Sequence, residues 1–98
     1  MILIHPEAAA EARVARLWYA ERDRAVGRRF QAEYDRAIQR VADHPDRWPR
    51  YPHLTGTFYS CRFRRFPYAV IYERFGEITH VLAVAADKRR PGYWARRK

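Results

Sequence analysis

Apolar residues recur along this chain with two periods, and the period changes near Gly56. Before that point the spacing is helical. Ala8, Ala12, Ala15 and Tyr19 follow one another at intervals of four, three and four, with Leu17 and Trp18 widening the stripe. Glu11, Arg13 and Arg16 read as lying off it. Pro6 and Glu7 suit a first helical turn, where a missing N–H is harmless and a carboxylate meets the helix dipole. A helix over 6–21 follows. Val26, Phe30, Tyr34, Ala37, Ile38 and Val41 define a second over 25–43, capped by Asp23 and stopped at His44-Pro45. Gly27 costs that helix about 1 kcal/mol against alanine, so it is expected at a close helix crossing. The short link at 22–24 makes the pair an antiparallel hairpin.

After Gly56 the period is two. Tyr59, Cys61 and Phe63 alternate with Ser60, Arg62 and Arg64; Tyr68, Val70 and Tyr72 alternate with Ala69, Ile71 and Glu73. Phe75-Gly76 turns the chain into residues 77–86, apolar on both faces except His80, and therefore central in its sheet. A short apolar run, Ile2-Leu3-Ile4, precedes the helices as a strand. The loop at 45–56 holds Pro45, Pro49, Pro52 and Gly56, with Trp48 and Tyr51 pinning it to the core. The expectation is one α+β domain over 1–98. An N-terminal strand and a helix hairpin pack on an antiparallel sheet with a three-stranded C-terminal meander. The second sheet face is expected to be partly open, carrying Ser60, Arg62 and Arg64.

Charge sharpens this picture. Residues 1–50 carry 10 basic and 8 acidic groups, whereas 51–98 carry 10 and 3, so the surplus of +9 sits mainly in the second half. Such a field favours a polyanionic partner, nucleic acid or acidic protein. The lone Cys61 excludes an internal disulfide and fits a reducing cytoplasm. No zinc-ligand spacing, cofactor motif or membrane span is read from the sequence.

Four pieces in order carry a family resemblance: Pro6-Glu7-Ala8 with Glu11, Ala15 and Trp18-Tyr19; Gly27 and Phe30 running to His44-Pro45; Arg62 to Tyr68 followed by Val70-Ile71-Tyr72; and Arg89-Arg90-Pro91-Gly92-Tyr93-Trp94. Together they resemble the RelE/ParE superfamily of toxins from type II toxin–antitoxin systems, more closely its ParE-like members. The resemblance implies a growth-arresting toxin held inactive by an antitoxin, here expected to be acidic. It leaves two targets: the ribosome and its messenger RNA, cleaved by RelE-like members, or DNA gyrase, inhibited by ParE-like ones.

If the chain were a nuclease, Arg62, Arg89 and Tyr93 would be its catalytic candidates. Metal-free RNA cleavage needs a proton acceptor, a cation for the crowded phosphate and an acid for the leaving oxygen. Ribosome-dependent relatives carry an arginine just after the position of Tyr68, where this chain has Ala69. Arg64, Arg65, Lys88 and Arg90 can reach the same face, but arginine is a poor base, and Glu73 reads equally as a strand surface residue. The balance favours a non-catalytic gyrase inhibitor. Its target-binding residues would be Arg62, Arg64, Arg65, Lys88, Arg89, Arg90 and Trp94. A ribosome-dependent endonuclease is the alternative, and a small basic RNA-binding module a third. Trp18, Tyr19, Phe30 and Tyr72 are read as core. Tyr93 and Trp94 are expected to fold back as an aromatic lid, with Arg96, Arg97 and Lys98 mobile beyond it.

Overall fold

A computed structural model describes residues 1–51 and 57–97. The expected turn residues Pro52 and Gly56, and the terminal Lys98, lie outside the described residues. The elements run β1 (Ile2–Ile4), α1 (Pro6–Arg22), α2 (Arg24–Asp43), β2 (Tyr59–Arg62), β3 (Tyr68–Phe75) and β4 (Ile78–Ala86). Local chemistry sets the helix ends. His5 Nδ1 accepts the Glu7 N–H at 3.1 Å ahead of Pro6. Asp23 accepts the Ala25 N–H at 2.9 Å, and α2 stops at His44 before Pro45. Gly27 marks the crossing, since a Cβ there would stand 2.6 Å from the Ala20 Cβ.

The four strands form one mixed sheet in the order β1-β4-β3-β2. β2, β3 and β4 make the antiparallel meander, but β1 lies parallel to β4. That departs from the all-antiparallel expectation, because α1 carries the chain away from β1 and the hairpin returns it on the far side. Both β3 and β4 are central.

The helices cover one sheet face. Ala8, Ala12, Ala15, Phe30, Ala37 and Val41 pack there on Cys61, Val70, Tyr72, Val81 and Val84. Tyr19, Phe30, Phe66 and Tyr68 form an aromatic layer, with the Tyr19 and Phe66 centroids 4.9 Å apart. Leu17 and Trp18, expected to widen the buried stripe, are exposed, Trp18 by 51%. The alanine-lined strip faces the sheet, and these two residues project beside it. Arg22 stacks on the Trp18 ring at 3.5 Å.

The second face is not open. Ala69, Ile71, Leu82, Ala83 and Ala85 form an apolar cluster on it, capped by Trp94, which is 1% exposed, with Tyr51, Phe58 and Tyr93 packed alongside. The C-terminal segment therefore folds back as a cover. Tyr51 meets the Trp94 ring edge-on at 4.8 Å, so loop and tail hold each other.

Candidate functional site

A bulge in β4 organises the first candidate region. Ile71 pairs with Ala83 but Tyr72 pairs with Val81, leaving Leu82 without a partner in β3. The extra residue returns Val81 to the helix side and turns Leu82 toward Trp94. On its other edge, β4 has β1 beside it only from Thr79 to Val81. The exposed backbone groups beyond that point need other partners. Glu11 of α1 accepts the Val84 N–H at 3.0 Å, and Arg97 donates to the Leu82 carbonyl at 3.0 Å. The same two side chains form a two-pronged ion pair, at 2.9 and 3.1 Å. The Tyr93 hydroxyl donates to Glu11 at 2.7 Å. One carboxylate thus clamps helix, sheet edge and tail together.

This overturns two expectations. Arg97, expected to be mobile, is held with its side chain only 12% exposed. Glu11, placed off the α1 stripe, follows Ala8 by three and precedes Ala15 by four, so it points inward with them. That spacing was the available signal for Glu11. For Arg97, nothing local marks its partner, 86 residues away.

Beside the clamp runs a groove of about 660 Å³, lined by the outer side of α1 through Val14 and Trp18 and by Asp87, Lys88, Arg89 and Tyr93. Arg89 stacks on Tyr93, its guanidinium carbon 4.0 Å from the ring centroid. Burial, then the hydrogen bond and charge of Glu11, push the Tyr93 phenol well above its usual range. Such a phenol is poorly matched to proton transfer near neutrality. Arg62 reaches Asp87 with both guanidinium nitrogens, at 3.0 and 2.8 Å. That hydrogen bond holds the guanidinium more firmly protonated than usual.

The candidate residues do not share one surface. Lys88 and Arg89 line the groove, and Arg62 is tied to the same turn through Asp87. Arg90 is exposed nearby in sequence. Arg64, expected on the tail-covered face, and Arg65 instead line a cleft of about 550 Å³ against α2, with Val26, Arg29, Glu33, Arg36 and Phe66. Glu33 is 6% exposed and accepts the Arg64 N–H at 2.8 Å and the Arg65 N–H at 3.3 Å. The carboxylate draws the chain after Phe63 toward α2, which carries both arginines to that side. Trp94 sits in the core beneath the tail, away from either surface. Glu73 lies 3.8 Å from His80 and outside both regions. No group of acidic, histidine or cysteine side chains suited to a metal ion occurs among the described residues.

A strand, a helix hairpin and a mixed four-stranded sheet, with a basic tail folded on the far face, make a small α+β domain consistent with the RelE/ParE fold. The family model described as the ParE toxin of the parDE type II toxin–antitoxin system matches residues 2–91. The chain belongs to that family. Its cognate partner is therefore an antitoxin. No curated protein and no solved structure matches the chain. No described helix is long and apolar enough to cross a membrane.

Proposed function

We propose that this toxin arrests growth in the cytoplasm by binding DNA gyrase as a non-catalytic inhibitor. The observation that carries this reading is the filling of the tail-covered sheet face. A nuclease of this superfamily needs cations on that face, and here it holds Ala69, Ile71, Leu82 and Ala85 beneath Trp94. Ala69 sits opposite both Arg62 and Ala85 in the strand register. An alanine offers no charge to a phosphorane, and the absent donor is worth about 3–4 kcal/mol of transition-state stabilisation. Arg62, though exposed, is paired with Asp87, and Tyr93 is engaged by Glu11.

In this reading Arg62, Lys88, Arg89 and Arg90 form the target contact, and Arg64 and Arg65, turned to the α2 side, lie outside it. Trp94 acts from below by holding the tail in place. The antitoxin is acidic: an apolar-anchored acidic segment suits the groove, where Val14 is 65% and Trp18 51% exposed in one lining with Lys88 and Arg89. The test is a gyrase supercoiling assay with the purified chain, paired with mapping of messenger RNA ends in cells that express it. Supercoiling should be blocked and no ribosome-dependent cuts should appear. Reversing charge at Arg89 and Arg90 should abolish toxicity with unchanged thermal melting. Ribosome-dependent cuts that disappear on Arg62→Ala would establish the nuclease alternative instead.

A further inference from the structure

The α2-side cleft has a composition that the toxin's target contact does not explain. Its rim carries four cations, Arg29 and Arg36 from α2 and Arg64 and Arg65 from the β2–β3 loop. None of the four is in a salt bridge among the described residues. The single carboxylate in the cleft, Glu33, is buried at its floor and turned to backbone N–H groups. Arg29 and Arg36 are seven residues apart, two helical turns or about 10.5 Å along the axis. That span exceeds one phosphate on a strand whose charges recur every ~3.4 Å of duplex axis. All four cations are arginines, whose planar, weakly hydrated guanidinium groups suit paired hydrogen bonds to phosphate oxygens.

We propose that this cleft binds the phosphodiester backbone of a nucleic acid. The apolar anchors that would hold a protein segment lie elsewhere, on α1 at Val14, Leu17 and Trp18. The cleft offers only Val26 and Phe66 besides its charges. An acidic peptide would find charge there with little to bury, whereas a phosphate backbone needs charge and hydrogen-bond donors alone. The proposal is independent of the target assignment, since it concerns a different surface and a different measurement.

The test is fluorescence anisotropy of the purified full chain with three labelled probes of one sequence: duplex DNA, single-stranded DNA and single-stranded RNA. Each probe is titrated between about 50 and 200 mM salt. The tightest probe identifies the source of the backbone. The pair Arg29→Gln and Arg36→Gln changes exposed helix positions to a good helix former, so folding is retained and is checked by circular dichroism. It should weaken binding about tenfold or more and lower the slope of log K against log salt by about 2. Arg64→Ala with Arg65→Ala should do the same. A control pair of equal charge outside the cleft, Arg13→Gln with Arg24→Gln, should change affinity less than about twofold. Equal losses from cleft and control pairs, or no binding to any probe, would overturn the proposal. So would a glutamate-rich peptide that outbinds all three probes and is lost on the same cleft substitutions, which would assign the cleft to a protein.

Discussion

The groove beside α1 and the cleft beside α2 are built on the same device with opposite results. In each, a glutamate from the inward side of a helix caps backbone N–H groups that the sheet leaves unpaired: Glu11 at Val84, and Glu33 at Arg64 and Arg65. At the groove the carboxylate also meets Arg97 and Tyr93, so its charge is answered by the tail. At the cleft the carboxylate stays with the backbone, and the surrounding guanidinium groups face outward. One region spends its cation on the fold, and the other keeps its cations for a partner. A count of basic residues treats the two alike. The difference lies in which arginine can reach a buried carboxylate.

Removing the two glutamates should separate these roles. Glu11→Ala leaves Arg97 only the more distant and more exposed Glu7, at 3.7 Å, as counter-ion and frees the tail, and should cost about 3 kcal/mol in denaturant unfolding. The indole of Trp94 should become exposed in the same variant, read as a red shift in fluorescence. A loss below about 1 kcal/mol with no shift would mean that the clamp does not hold the tail. Glu33→Ala should cost less, about 1–3 kcal/mol, because it uncaps two neutral N–H groups and strands no charge. It should leave Trp94 buried. If both variants exposed Trp94 equally, the two regions would not be independent.

A smaller effect comes from pH, and the groove contributes to it through Tyr93. The Tyr93 phenol is raised above 10.0 in the folded chain, first by burial and then by Glu11. Below the ordinary tyrosine range both folded and unfolded forms are protonated, and this contribution is fully present. As pH rises through that range, the unfolded chain ionises first. Stability then falls by at most about 1.4 kcal/mol per pH unit for this group. Tyr93→Phe should flatten the alkaline slope of unfolding free energy, leaving the shares due to Tyr34, Cys61, Tyr68 and Tyr72, which burial also raises. An unchanged slope would remove Tyr93 from the account. Arg29→Gln, a substitution far from the Tyr93 phenol, should leave the slope as it was.

What was legible in the sequence was whatever depends on near neighbours. Asp23 caps α2, Gly27 admits Ala20 at the helix crossing and His44-Pro45 ends the hairpin, because each acts within one chain turn or its immediate contact. Alternation gave the meander, and a strand apolar on both faces gave the central place of β4. Ala69 also stood out, but only through the family resemblance, as an uncharged side chain where ribosome-dependent relatives carry an arginine.

Tertiary structure decided the rest. The parallel seat of β1 depends on where the whole hairpin returns the chain, which no local pattern encodes. The unpaired residue in β4 shifts register by one, and alternation cannot reveal that before the strands are aligned. Arg97 looked like one more tail charge until the fold brought it to a carboxylate 86 positions earlier. Arg64 and Arg65 left the expected face because Glu33, some thirty residues upstream, holds their N–H groups. In each case the deciding contact joins groups far apart in the chain, and its strength comes from burial that exists only once the sheet and helices have packed.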